Sequence, residues 1–266
     1  MNTESKRRRK ALARPWLLVL ALLVVGVAYS AVIPQSSSAD TEMTQQIAEG
    51  KAIFDVSCSS CHGLNGEGQT TGPSLIGVGA ASVDFQMGTG RMPAARAEAQ
   101  IPVREVTYSQ EQIDAVAAYV ATFGPGPAVP EASQYDPEGL TEEEIARGGA
   151  LFRANCSACH GIVGGGGAMP EGKYAPSLAN TEDVHIYEAI RTGPQQMPMF
   201  SKDVLEDDDV RQIIGYLNEA SEQPQYGGLG MGNNGPVSEG LWIFLLGIGG
   251  LSLVAFWIAK NGARAR

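Results

Sequence analysis

The sequence feature that most constrains the fold is an internal repeat that surrounds all four cysteines. Residues 52–63 read AIFDVSCSSCHG, residues 150–161 read ALFRANCSACHG, and seven of the twelve positions are identical. The similarity continues downstream in two shorter pairs, GPSL at 72–75 with APSL at 175–178, and Met-Pro at 92–93 with Met-Pro at 197–198. A chain of 266 residues has room for two small domains, so the repeat predicts two copies of one domain in tandem.

The predicted fold class is mainly α. Each copy ends in apolar residues at helical spacing, in residues 112–122 of the first and 209–219 of the second. The rest of each copy contains Gly- and Pro-rich loops and lacks the alternation typical of a strand. The predicted division of the chain is 1–39 for a basic tail with a signal anchor or signal peptide, 40–123 for domain 1, 124–140 for a linker, 141–220 for domain 2, 221–240 for a second linker, 241–259 for a transmembrane helix and 260–266 for a tail.

Apolar runs at both ends of the chain predict membrane insertion. Residues 15–33 and 241–259 each approach the ~20 residues that a helix needs to cross a bilayer. Basic residues flank the outer side of each run, which predicts a multi-pass protein of the cell membrane with both tails in the cytoplasm and the repeat on the outer face. A signal peptide cleaved after Ala39 is the alternative for the first run, and export is implied either way.

The charge is unevenly distributed along the chain. The terminal segments contain nine of the 19 Lys and Arg but one of the 29 Asp and Glu, which leaves the part between them with 28 acidic and ten basic side chains. The negative electrostatic field of this part disfavours binding to nucleic acid and to anionic membrane surfaces, and favours binding to basic partners. The acidic runs 142–144 and 206–209 are interpreted as starts of helices rather than as sites.

The cysteines predict covalently bound haem c, one group in each copy. On one helical turn, positions i and i+3 share a face, so both thiols can reach the two vinyl groups of one porphyrin, and the next histidine can bind the iron. The pattern occurs twice, as Cys58, Cys61 and His62, and as Cys156, Cys159 and His160.

Other uses of paired cysteines fit less well. Structural zinc needs four ligands in one compact unit, but the pairs lie nearly a hundred residues apart and His185 is the only further histidine. A thioredoxin-like redox motif expects a strand before the motif, and a disulfide across two residues would stabilise a domain poorly. The haem interpretation is therefore favoured over zinc, a redox dithiol and a plain disulfide.

Methionine is the expected axial ligand on the opposite side of each iron, since a thioether raises the reduction potential. Met92 and Met197 are chosen because each precedes a proline at corresponding positions of the repeat. The alternatives are Met87 in the first copy and Met199 in the second. Met169 also lies in the second copy, but only nine residues after His160 in the same Gly-rich loop, which makes crossing the haem edge difficult. For His185 the expectation is a surface or helix-start position, with a role as an axial ligand as the alternative.

Each copy resembles a class I cytochrome c domain, with a Cys-x-x-Cys-His helix, a Pro-Ser-Leu loop, a Met-Pro loop and a closing helix. The resemblance implies that the carbonyls of Pro73 and Pro176 accept hydrogen bonds from His62 and His160. Over its full length, including the GTGRMP and MPMF segments, the chain is similar to the dihaem cytochrome c subunits of actinobacterial cytochrome bcc complexes. That family implies menaquinol oxidation in partner subunits, with a cytochrome b subunit, a Rieske iron–sulfur subunit and a terminal cytochrome c oxidase as partners.

Three alternative functions are therefore considered. The first is the electron-transfer subunit of a quinol–cytochrome c oxidoreductase, which relays electrons from the Rieske protein through both haems to the oxidase. The second is a free-standing, membrane-anchored carrier that serves a dehydrogenase or another oxidase. The third is a dihaem peroxidase, which needs an exchangeable sixth position on one iron and is disfavoured by a methionine candidate in each copy.

Overall fold

Helices form nearly all of the regular structure in the computed structural model, which describes residues 16–29, 38–98, 100–222 and 236–262. The chain divides into two compact units, Met1–Gln45 and Gln46–Arg266, and both Cys-x-x-Cys-His motifs lie in the second unit. The predicted mainly α fold is confirmed. Among the described residues, the two named strands, β1 (Gly167–Ala168) and β2 (Tyr174–Ala175), pair antiparallel with Gly167 opposite Ala175.

The order of the helices repeats as the sequence does. The N-terminal segment forms α1 (Trp16–Tyr29). The first copy contains α2 (Ser38–Ser57), α3 (Ser59–His62), α4 (Ala80–Gly88) and α5 (Gln110–Ala121). A short helix, α6 (Ala132–Tyr135), precedes the second copy, which contains α7 (Glu142–Asn155), α8 (Ser157–His160), a 3₁₀ turn at Pro170–Gly172, α9 (Asp183–Thr192) and α10 (Asp207–Glu222). A C-terminal helix follows, with α11 (Pro236–Ile243), a π-helical stretch at Phe244–Ile248 and α12 (Gly249–Gly262).

Local capping explains where the helices begin. Glu144 accepts a hydrogen bond from the backbone N–H of Thr141 at 2.7 Å, while the Thr141 hydroxyl accepts one from the backbone N–H of Glu144 at 3.3 Å. This reciprocal pair satisfies donors that the first turn of α7 leaves without partners. Ser109 and Gln112 form the same capping box at the start of α5. The two predicted amphipathic helices are confirmed, and each begins two residues earlier than the pattern suggests.

Each copy has its own hydrophobic core, and the two cores are built alike. Phe54 and Phe152 occupy equivalent positions in the repeat and are both buried. In each copy the long first helix crosses the closing helix at a glycine. A Cβ atom placed on Gly50 would lie 1.8 Å from the Ala115 carbonyl oxygen, and one on Gly148 would lie 1.9 Å from that of Gln212. These crossings hold the haem-motif turn, which follows the first helix directly, against the rest of its domain.

Replacing Gly148 with alanine should destabilise the second domain by about 3 kcal/mol, because the added methyl group must force α7 away from α10. Thermal or denaturant unfolding of the second domain measures the loss. The matched control is the reverse exchange at an exposed position of the same helix, Ala146→Gly, which should cost about 1 kcal/mol through helix propensity alone. Equal effects of the two substitutions would contradict a tight crossing at Gly148.

The segment between the copies is more ordered than its Pro and Gly content suggests. It contains α6, and the Gln134 side chain donates a hydrogen bond to the Tyr187 hydroxyl at 3.0 Å. At its start, the Pro127 carbonyl accepts a hydrogen bond from the backbone N–H of Ala81 at 3.1 Å. Helix α4 of the first copy packs directly against α9 of the second. The two copies therefore form one continuous unit.

The C-terminal helix has the length and composition of a membrane span. Gly240–Asn261 forms an apolar helix of 22 residues, and its large apolar side chains are exposed. At ~1.5 Å per residue it exceeds the ~30 Å of a hydrocarbon core. Helix α1 is shorter than the ~20 residues required, and residues 15 and 30–33 of the predicted run lie outside the described residues. One of the two predicted spanning helices therefore has a counterpart in the structure.

Candidate functional site

The first Cys-x-x-Cys-His motif lines a cavity of about 580 Å³. The walls include the side chains of Cys58, Cys61 and His62 on one side and those of Met87 and Met92 from the segment after α3. A second cavity, of about 460 Å³, is lined by Cys156, Cys159, His160, Met169 and Met197. The structure thus brings together the predicted site residues of each copy around one cavity.

A single tight turn positions the motif residues in each copy. The backbone N–H groups of Cys61 and His62 both donate to the Cys58 carbonyl, at 3.1 Å and 3.0 Å. In the second copy, Cys159 and His160 donate to the Cys156 carbonyl at 3.1 Å and 3.0 Å. Since the motif begins as the long first helix ends, both thiols and the imidazole are held on one face of a short helical turn.

A proline carbonyl orients each histidine. His62 Nδ1 lies 2.8 Å from the Pro73 carbonyl oxygen, and His160 Nδ1 lies 3.0 Å from that of Pro176. A proton on Nδ1 donates to the carbonyl, which leaves the lone pair of Nε2 available for a metal. Burial lowers the pKa of His160, partly offset by the Pro176 hydrogen bond, so the neutral imidazole is favoured. The two hydrogen bonds that the family resemblance implies are confirmed.

The first cysteine of each motif has the same electrostatic surroundings. Burial, followed by the neighbouring Cys61, raises the pKa of Cys58 to about 11. Burial and then Cys159 raise the pKa of Cys156 to about 11 as well. Both groups are therefore protonated thiols at neutral pH. The first cysteines of the two motifs are thus alike in their electrostatic surroundings as well as in sequence.

Two methionines line each cavity, and their surroundings differ. Met87 lies within α4, is 4% exposed and belongs to the apolar core of the first copy. Met92 follows α4 in a loop and is partly exposed. In the second copy Met169 and Met197 both line the cavity, whereas Met199 is 65% exposed and does not line it. The choice of Met92 and Met197 stays a prediction, and Met199 is the candidate that the geometry favours least.

The loop that carries Met197 is braced by Arg191. One guanidinium nitrogen, Nη1, donates to the backbone carbonyls of Phe200 at 3.2 Å and Leu205 at 2.7 Å. The other, Nη2, donates to Asp207 Oδ1 at 2.8 Å. Because the ends of the loop are tied to one buried side chain, the position of Met197 depends on this network.

Asp207 is the acidic centre of that network. Burial alone would raise its pKa, but hydrogen bonds from Lys202, Tyr187, Gln134 and Arg191 hold the pKa of Asp207 well below its usual value. A carboxylate with a lowered pKa stabilises the fold above its ordinary pKa and loses that contribution as the pH falls below about 4. The acidic start of α10 is therefore a structural anchor as well as a helix start.

Replacing Asp207 with asparagine should lower the stability of the second domain by about 1–3 kcal/mol at pH 7. The difference between the wild type and the variant should shrink as the pH falls from 5 to 3, because the wild-type carboxylate is then protonated on unfolding. Thermal melts across that range measure both effects. Asp208→Asn is the control, since Asp208 is 75% exposed and pairs with Arg211 at the surface. A pH-independent difference would contradict the ionised state of Asp207.

Of the two positions expected for His185, a surface or a helix start, the structure shows the helix start. His185 occupies the first turn of α9 as expected, but is 7% exposed, and its Nδ1 lies 2.9 Å from Glu188 Oε2. Burial raises the pKa of Glu188 to about 7, with His185 opposing the rise and Asp84 adding to it. The i, i+3 spacing could have paired His185 with Glu188, but no local signal places Asp84 beside them.

The two cavities share part of their walls. Ile101, Pro194 and Gln195 line both of them. The Gln195 side-chain amide lies 3.5 Å from the Ile101 carbonyl oxygen, so the shared wall is linked across the two copies. Sequence reasoning missed this contact, because 94 residues separate Ile101 from Gln195.

The residues present fit a covalently attached haem in each cavity. Each cavity combines two thiols on one helical turn, an imidazole with a fixed Nδ1 partner and a thioether on a separate loop. Its walls are otherwise largely apolar, with Phe54, Leu75 and Val116 in the first and Phe152, Leu178 and Ile213 in the second. That is the donor set and the environment that an iron porphyrin requires.

Known proteins match both copies and the full chain. The family described as "Cytochrome c" matches residues 47–124, and the family described as "Cytochrome C oxidase, cbb3-type, subunit III" matches residues 143–217. The proteins named "Cytochrome bc1 complex cytochrome c subunit" from Mycobacterium tuberculosis (strain ATCC 25618 / H37Rv) and Corynebacterium diphtheriae are 43% and 40% identical to this chain. The alignments cover 98% of this chain in both cases, and 94% and 99% of those proteins. The protein of the same name from Mycobacterium leprae is 43% identical over 94% of this chain and 87% of its own length.

Proposed function

The chain belongs to the family of cytochrome c subunits of the cytochrome bc1 complex, and from this premise we propose that it is the dihaem electron-transfer subunit of a quinol–cytochrome c oxidoreductase. In this role it relays electrons from a Rieske iron–sulfur subunit to a terminal oxidase of the respiratory chain. Quinol oxidation itself belongs to partner subunits. Two cytochrome c domains imply covalent haem c binding, and the proposal assigns one haem to each domain.

The chain's own residues have separate tasks around each cofactor. In domain 1, residues 40–123, Cys58 and Cys61 form the thioether bonds, and His62 and Met92 bind the iron. In domain 2, residues 141–220, Cys156 and Cys159 form the thioethers, and His160 and Met197 bind the iron. When bound, the haems supply one-electron oxidation and reduction of iron; the Pro73 and Pro176 carbonyls fix the imidazoles.

The observation that carries the proposal is the shared wall of the two cavities. Because Ile101, Pro194 and Gln195 line both, cofactors held by the two motifs would share part of one wall. When haem is bound, the largely apolar lining would limit the access of water to it and so the reorganisation that accompanies a change of charge. Such an arrangement suits a relay of electrons within one chain.

The membrane assignment rests on the terminal segments, and the partner assignment rests on the acidic part between them. We assign Gly240–Asn261 as an anchor that packs against a cytochrome b subunit, with both tails in the cytoplasm and the haem domains on the outer face. The acidic balance of the part between the terminal segments favours docking to basic surfaces of the Rieske subunit or the oxidase.

Extraction of the membrane in mild detergent tests the proposal. A tagged chain should carry with it cytochrome b, a Rieske protein and oxidase subunits, identified by mass spectrometry, and the purified assembly should oxidise a quinol. Truncation before residue 236 should release the chain from cytochrome b without removing either haem. Recovery of a lone dihaem protein with no stable partner would instead support the free-standing carrier.

A further inference from the structure

A buried cluster of three ionisable side chains lies where the two copies meet. Asp84 comes from α4 of the first copy, and His185 and Glu188 come from α9 of the second. Their exposed fractions are 3%, 7% and 0%. Buried side chains of this kind need partners or a bound ion, because the loss of hydration is costly. Asp84 and Glu188 line neither haem cavity, whereas His185 also lines the second one.

The side chains of the cluster converge on one point. One potential metal-binding atom from each residue lies within 4.8 Å of those from the other two. Ligand atoms of a tetrahedral zinc ion, at bond lengths of ~2.0–2.2 Å, lie ~3.3–3.6 Å apart. Side-chain rotations that move these atoms by roughly 1 Å would therefore close the cluster around an ion.

The surrounding residues keep the cluster in place. Gln110 donates a hydrogen bond to Asp84 Oδ1 at 2.7 Å, as outer partners of metal-binding carboxylates do. Gly88 lets α4 approach the imidazole closely, since a Cβ atom there would lie 2.8 Å from Cε1 and 2.9 Å from Nε2 of His185. The ring of His185 therefore lies where α4 and α9 approach each other closely.

The cluster as it stands is incompletely satisfied. Glu188 Oε1 is buried and has no hydrogen-bond partner, although its other oxygen is paired with His185. Two carboxylates from different copies also face each other, which opposes the docking of α4 on α9 unless a proton or a cation lies between them. Among the described residues, the cluster forms no ion pair with Lys or Arg. A divalent cation with a neutral imidazole would balance both carboxylates.

We propose that Asp84, His185 and Glu188 bind a divalent metal ion, and that this ion joins the two haem domains. One imidazole nitrogen with two carboxylate oxygens is a ligand set that suits zinc. Glu188 Oε1 becomes a ligand instead of an orphaned acceptor, and the fourth position is left to water. The proposed ion has a structural role, and its ligand His185 also lines the second cavity.

Zinc binding by the purified full-length chain with both haems attached tests the proposal. After dialysis against a chelator, the wild type should take up one tightly bound zinc per chain, measured by equilibrium dialysis and elemental analysis. Glu188→Gln and Asp84→Asn, one from each copy, should each weaken that binding by more than ~100-fold, beyond the loss expected for an outer partner. Glu182→Gln is the matched control, because Glu182 is exposed beside the same helix and should leave binding unchanged. Wild-type binding no tighter than that of Glu188→Gln would overturn the proposal.

X-ray absorption at the zinc edge examines the wild type directly, so the proposal does not depend on the folding of a variant. The spectrum should contain about four nitrogen or oxygen neighbours at ~2.0–2.2 Å, with the outer-shell scattering of one imidazole ring. Sulfur neighbours, or the absence of imidazole scattering, would contradict the assignment. Infrared difference spectroscopy adds a further outcome: a protonated buried carboxyl group that persists in excess zinc would mean that the carboxylates share a proton instead of a metal ion, and the proposal would fail.

Discussion

Alanine in place of both Cys156 and Cys159 should reduce the covalently bound haem from two groups per chain to one. The two thiols are the only cysteines at the second cavity, so no thioether can form there. The second domain should also lose most of its stability, since the cavity of about 460 Å³ would lack the apolar body that fills it. Haem absorbance per chain and the intact mass of the purified protein measure the outcome.

The repeat provides two controls for this experiment. Ala158→Ser makes the second motif identical to the first, CSSCH, and should retain both haems. Replacement of Cys58 and Cys61 should remove the other haem and leave the second in place. Retention of two covalent haems in either double variant would show that the cysteine assignment is wrong.

Histidine in place of Met197 should lower the reduction potential of one haem by on the order of 0.1–0.3 V, within the roughly 0.8 V range that axial ligands control. A thioether favours reduced iron, whereas a second imidazole favours the oxidised form. Met92→His should lower the potential of the other haem by a similar amount. Redox titration followed by optical spectroscopy resolves the two potentials.

Met199→His is the matched control, because Met199 lies two residues away, is 65% exposed and does not line the cavity. That substitution should leave both potentials unchanged. If Met197→His altered neither potential while Met169→His lowered one, the second iron would have Met169 as its ligand. The same comparison between Met92 and Met87 decides the assignment in the first domain.

The parts of the site that are close in sequence could be predicted, and the parts that depend on packing could not. The two Cys-x-x-Cys-His turns form from consecutive residues, and the proline partners of the histidines follow from the family pattern. The crossings at Gly50 and Gly148 depend on carbonyl groups more than sixty residues away, which periodicity does not reveal. The helix-start position of His185 could be predicted, but its burial could not, because nothing near it in sequence indicates that α4 covers it.

The segment between the copies illustrates the same limit. Its prolines and glycines predict a loop correctly over most of its length, but the helical turn of α6 is stabilised from outside. Gln134 donates to Tyr187 and to Asp207, both of which belong to the second copy. A pattern that reports only local preference cannot include partners of this kind.

The wall shared by the two cavities has a consequence for how such a chain can evolve. Ile101 of the first copy completes the second cavity, and residues 192–195 of the second copy contribute to the first. Because each domain contributes residues to the cavity of the other, deletion or reordering of one domain would remove part of the wall of the remaining cavity. Substitutions at the shared wall affect both cavities at once, so the sequences of the two copies cannot diverge independently there.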